Sequence, residues 1–266
     1  MADVFTHFNY LHAIPEIGMK EFKTSAYVAD VLKQLGYEVE TQIGGATGVV
    51  AVCDSGKPGP VLGLRADMDA LGTKDGGAAH LCGHDGHMAM ALAAATYVDR
   101  TIREQPGAMR RNVLFVFQPA EETTGGAKTV CESGVFERYG ADRIFGFHVW
   151  PDLPAGTLAS CSGPLLARSS ETHIHIHGTS IHIAKTYGVP VEESHDAALA
   201  AAKFLVAERE LMDELGTDEP CIGKFGLLQA GTVCNAVAGE APCCRQSACV
   251  YGRHVRPCTR GCAPRA

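Results

Sequence analysis

The sequence predicts an α/β fold with a largely parallel sheet, followed by a smaller α+β segment. Three observations point to it. Through about the first 167 residues, short apolar runs alternate with helix-patterned stretches. Three of those runs end in polar clusters, at the edge where open α/β sheets bind ligands. From Arg168 the texture changes to strict alternation, Thr172-His173-Ile174-His175-Ile176-His177, and then to an amphipathic helix.

The elements follow in chain order. Ala26, Val28, Val31, Leu32 and Leu35 share one helix face that ends at Gly36. Tyr37–Ile43 and Gly48–Cys53 read as strands, and the turn-rich Asp54–Pro60 leads into a buried strand at Val61–Leu64. That strand runs into a charged cluster, Arg65-Ala66-Asp67-Met68-Asp69. A small-residue helix follows over Asp85–Val98, then an apolar strand over Asn112–Phe117, a helix over Gly125–Gly134 and a strand over Arg143–Phe147. In the second part, His173, His175 and His177 share one strand face, which reads as a solvent-facing side more readily than as a metal stripe. Ala197–Met212 is helical, and Cys221–Leu228 and Thr232–Val237 read as strands.

Composition limits the partners. The chain has 266 residues, 46% of them hydrophobic and 20% charged, enough for a real core. The net charge of −7 and the lack of a basic block speak against nucleic acid or a membrane surface. The longest apolar run, Met88–Val98, is too short to span a bilayer, and the N-terminus lacks the pattern of a signal peptide. A cytoplasmic protein with free or metal-bound thiols is expected.

The densest chemistry lies in His80-Leu81-Cys82-Gly83-His84-Asp85-Gly86-His87. Imidazole and thiolate are donors for zinc-like ions, and a glycine between Cys82 and His84 lets both turn to one ion. The plainer reading is a polar helix start capped by Asp85. Glu121 and Glu122 follow a strand and a proline. Adjacent carboxylates suit one ligand and one general base, though alone they read as solvated groups at a helix start. His148 ends another strand and on its own is a structural histidine. Asp67 and Asp69 fit either strand-end caps or supports for a ligand histidine. His182 and Asn235 carry no local signal.

Taken together and in order, these segments resemble the M20 metallopeptidases, in the amidohydrolase branch of hippurate hydrolases, aminoacylases and auxin-conjugate hydrolases. The motifs are Leu11-His12-Ala13-Ile14-Pro15-Glu16, Leu64 to Leu71, Cys82 to His87, Phe117 to Glu122 and Gly146 to Pro151. The resemblance implies a zinc-peptidase-like catalytic domain, present as its first half, with an inserted ferredoxin-like lid and dimerisation domain that is incomplete. It implies residues 1–167 for the first, 168–241 for the second and 242–266 for an aberrant tail. It implies two divalent ions (zinc, manganese, cobalt or nickel) held by Cys82, His84, Glu122 and His148, with Glu121 as the base that activates the attacking water. Asp67, Asp69 and Asp85 would support those ligands. His182 and Asn235 match lid residues that contact a small N-acyl amino acid substrate, in a family that is commonly homodimeric.

The chain also departs from the pattern. A Gly-Gly-Glu-Asp-Phe-type segment and a late histidine ligand, expected after the lid, are not found. The last 25 residues hold five cysteines and five arginines and no lysine, aspartate or glutamate, as in a shifted reading frame or truncated gene. Impaired catalysis is therefore the alternative expectation. A cysteine-rich metal or redox module is the remaining one, weakened by the lack of a repeated Cys-x-x-Cys pair.

Overall fold

The computed structural model describes residues 3–123, 125–163, 165–190, 193–215 and 221–249. The chain divides into two compact units, Met1–Ala155 and Gly156–Ala266. The first opens with helix α1 (Val4–His12), where Asp3 accepts the Thr6 amide at 2.8 Å as an N-cap. Sequence periodicity passes over α1 because only His7 and Leu11 are buried on it. Helix α2 (Phe22–Gln34) buries Val28, Ala29 and Leu32 and ends before Gly36, whose φ of 83° suits glycine. Strands β1 (Glu38–Ile43) and β2 (Gly48–Cys53) form an antiparallel hairpin.

Strand β3 (Val61–Asp67) runs past Leu64 and carries Arg65 and Asp67 within the sheet. The two-residue strands β4 (Leu71–Gly72) and β5 (Ala78–Ala79) pair with each other. Helix α3 (His84–Glu104) is longer than its apolar pattern, and the Asp99–Arg103 pair closes its last turns. Strand β6 (Val113–Gln118), helices α4 (Gly126–Glu132) and α5 (Val135–Tyr139) and strand β7 (Ala141–Gly146) complete the unit.

The sheet order is β1-β2-β6-β3-β7. Strands β6, β3 and β7 are mutually parallel, and only β2 runs against the rest. All six residues of β6 are buried. Val113, Phe115 and Phe117 join Leu11, Leu32, Met88 and Leu92 on one face, while Leu114 and Val116 join Val130 and Val135 on the other. A strand covered on both faces has no reason to alternate, hence the unbroken apolar run. Burying each phenylalanine is worth roughly 1.5–3 kcal/mol. This packing fixes β6, and with it the turn that carries Glu121 and Glu122.

The second unit is a three-stranded antiparallel sheet in the order β8-β10-β9, with β8 (Arg168–His177), helix α6 (Ala197–Leu215), β9 (Cys221–Leu228) and β10 (Glu240–Cys249). A short 3-10 turn, Ile183–Thr186, lies between β8 and α6. Two expectations are corrected here. Thr232–Val237 is not a strand, and only an isolated bridge joins Ala236 to His182. The expected aberrant tail instead begins as the central strand. In β10, Ala241 and Cys243 are buried, and Arg245 is neutralised by Glu208 of α6. Cysteine packs there as a small hydrophobe, and Pro242, which has no N–H to give, accepts the Gln229 amide through its carbonyl at 3.1 Å. His254, Cys258 and Cys262 lie outside the described residues. Among the described residues, no helix is long and apolar enough to cross a membrane.

Candidate metal centre

Three strands deliver the site from their carboxyl ends. Asp67 closes β3 and Asp69 lies two residues on; Glu121 and Glu122 follow β6; His148 follows β7. Cys82 and His84 arrive from the start of α3, where Gly83 has a φ of 82°. A Cβ on Gly83 would lie 2.5 Å from Val149 Cγ2, so the bend between the two donors demands glycine on both grounds.

His84 is 1% exposed. Its Nδ1 lies 2.9 Å from the Asp69 carbonyl oxygen, which can only accept, so Nδ1 carries a proton and, in the neutral ring, Nε2 presents a lone pair. That Nε2 is buried with no hydrogen-bond partner. It faces Asp67 at 3.7 Å, Glu122 at 3.7 Å and Glu121 at 3.9 Å. Cys82, His84 and Glu122 each offer a donor atom within 4.8 Å of the others, as do Asp67, His84 and Glu121. An unpartnered imidazole nitrogen ringed by a thiol and carboxylates fits a divalent cation.

A third set joins His84, His87 and His148 within the same span. His87 is the weaker member, because its Nε2 already accepts the Val149 amide at 2.9 Å while Nδ1 donates to Asp67 at 2.7 Å. His87 thus ties the His148 loop to β3. It belongs to the motif but was given no role from sequence; its place three residues after His84, on the same helix face, was the available signal. His148 is exposed, its Nδ1 donates to the Val149 carbonyl at 2.6 Å, and its ring centre lies 6.2 Å from that of His84.

The remaining expected residues scatter more. Asp69 accepts the Glu121 and Glu122 amides at 2.9 Å each. Asp85 meets His12 of α1 at 2.6 Å rather than the donors. His182 accepts the Ala184 amide at 3.2 Å, and the Asn235 carbonyl accepts the Ile183 amide at 3.0 Å, so the two lie close together within the second unit. Two residues went unnoticed in the sequence. Ala120, just before Glu121, has a φ of 49°, and the buried Glu21 of the α2 start accepts its amide at 2.8 Å. Nothing local to Glu21 signals this, since its partner lies 99 residues away.

The electrostatics are those of crowded negative groups. Burial pushes the Cys82 thiol up to about 12, and the facing Glu122 carboxylate adds to it. Burial and Glu122 likewise raise the Glu121 carboxyl. Burial alone would raise Asp67, but the His87 hydrogen bond and the Arg65 charge outweigh it and hold the carboxyl down at about 2. Asp67 therefore stays an anion, while the raised Glu121 carboxyl takes a proton more readily than Asp67 does.

Residues 63–251 match the model of peptidase family M20/M25/M40. An N-acetyldiaminopimelate deacetylase of Streptococcus pneumoniae is 34% identical over 254 residues, covering 91% of this chain and 65% of the relative. The chain thus spans about two thirds of that relative's length. A proposed aminohydrolase from methicillin-resistant Staphylococcus aureus superposes with a TM-score of 0.78 at 28% identity, covering 94% of this chain and 66% of the other. A dinuclear metal-binding peptidase of the M20 family from Bacillus subtilis superposes at 0.68 and 28%, with coverage of 94% and 64%.

Proposed function

The chain belongs to peptidase family M20/M25/M40, and from that membership we propose that its site hydrolyses the amide bond of N-acyl amino acids or similar small conjugates. The deacetylase relative acts on one such molecule by name. The observation that carries the reading is the bare, buried Nε2 of His84 among Cys82, Glu121, Glu122 and Asp67. Cys82, His84, Glu122 and His148 would hold two divalent ions, and the mixed sulfur, nitrogen and oxygen donors would admit zinc, manganese, cobalt or nickel. When bound, the ions lower the pKa of water and draw charge from the amide carbonyl.

The chain's own residues do the rest. Glu121 accepts a proton from the attacking water as the new C–O bond forms, and its raised pKa suits it to hold that proton. It then passes the proton to the amine nitrogen as the C–N bond breaks. Asp69 positions His84 and both glutamates. His182 and Asn235 contact the substrate. The intact enzyme acts on small molecules in the cytoplasm as a homo-oligomer.

A second reading, slow turnover by this chain, is favoured by the openness around His148, where Val149 and Trp150 are 39% and 51% exposed. Water left in the site weakens every charge interaction there. The test is to load the purified chain with zinc, manganese or cobalt and assay N-acetyldiaminopimelate and a panel of N-acetyl amino acids for released amine. Metal-dependent release that Glu121→Gln lowers by about 100-fold or more, with metal content unchanged, supports the assignment. Equal turnover by the variant removes Glu121 as the base.

A further inference from the structure

The second unit carries donors that the hydrolytic site does not use. Strand β8 places Glu171, His173, His175 and His177 on one exposed face, away from α6. Strand β10 pairs with it in register, with Cys244 directly opposite His173. Directly opposed residues in an antiparallel pair have Cβ atoms about 4.5–5.5 Å apart, within reach of one shared ion. Glu171 lies one pleat along the same face.

The side chains already converge. Glu171 Oε1 is 3.1 Å from His173 Nε2 and 3.2 Å from Cys244 Sγ, and Sγ is 4.0 Å from Nε2. Ligands standing about 2.0–2.3 Å from one tetrahedral zinc ion lie roughly 3.3–3.6 Å apart, so these donors need shift by only a few tenths of an ångström. We propose that Glu171, His173 and Cys244 form a divalent-cation site on the β8–β10 face, taking zinc-like ions with water in the open position. The donors are one carboxylate oxygen, one imidazole nitrogen and one sulfur, a set that selects borderline ions over magnesium or calcium. Binding displaces the thiol proton to solvent, so the bound form carries Cys244 as thiolate. The register of two strands fixes His173 against Cys244, which leaves little ordering to be done at binding. The site rests on residues of the second unit alone and stands whether or not the chain hydrolyses amides.

The test follows each cysteine separately. The full chain is treated with a maleimide with and without added zinc, and labelling is read by mass spectrometry with fragmentation to separate Cys243 from Cys244. Zinc is expected to slow labelling of Cys244 by about tenfold or more, because a thiolate bound to metal is withdrawn from attack on the maleimide. His173→Ala and Glu171→Gln, both at exposed positions, should abolish that protection. His84→Ala should leave it intact. Cobalt absorption gives a second readout, with a thiolate charge-transfer band lost in Cys244→Ser. Labelling of Cys244 that ignores zinc, or protection that survives both variants, overturns the proposal.

Discussion

Both carboxylate oxygens of Asp69 accept backbone amides, from Glu121 and Glu122, while its carbonyl accepts the His84 Nδ1–H. One buried residue therefore sets the tautomer of one proposed ligand and the direction of two carboxylates. Asp69→Asn keeps the shape but turns an –NH2 toward one of those amides. Metal affinity or activity should fall about 10–100-fold, the usual cost of a lost supporting group; chelator competition measures it, and unchanged affinity would mean that the glutamates are held some other way. The sequence made Cys82, His84, Glu121 and Glu122 legible because their side-chain chemistry is rare at such density. The supports were legible only in part. Asp69, expected beside a ligand histidine, lies against His84, Asp85 faces His12, and Glu21 was invisible because its partner is distant in the chain.

At the scale of elements, the start of α3 depends on Gly83. Gly83→Ala puts a side chain at φ 82° and against Val149 Cγ2. The backbone penalty alone is about 1–2 kcal/mol, so melting temperature and metal affinity should both drop. Val149→Ala in the same chain should recover the steric part only. Helix α1 makes a separate prediction. His7 is buried with Nδ1 2.9 Å from the Tyr27 hydroxyl, and burial pulls its pKa down despite the nearby Asp3 charge. The unfolded chain then binds the proton more readily. The neutral ring's contribution is full above the unfolded pKa of about 6.5 and fades as pH falls through the window beneath it. His7→Gln, which cannot titrate, should flatten the decline of melting temperature across that window; an unchanged slope would locate the pH dependence elsewhere. Most elements were legible from periodicity, and the failures have reasons. Helix α1 buries too little to show a stripe, and most of β10 lies in the Cys/Arg-rich segment expected to be aberrant, a composition that forms strands poorly.

At the scale of the molecule, β7 is the edge of its sheet, pairing with β3 on one side. Ile144 and Phe145 are 51% and 57% exposed along it. An open apolar edge invites another strand, and charged side chains are how proteins discourage that. Phe145→Lys should reduce self-association in light scattering while shifting stability by no more than about 0.5 kcal/mol, as for other exposed positions. Association that persists unchanged would put the adhesive surface elsewhere. The hold of Glu21 on Ala120 has a consequence in time. Glu121, the proposed base, follows a left-handed alanine whose amide finds its acceptor only after a 99-residue span of chain has closed. Contacts that distant form late, because their closure entropy comes first. During synthesis, strands and helices of the first unit can assemble from their amino end, but Glu121 cannot take its place until β6 has left the ribosome and docked.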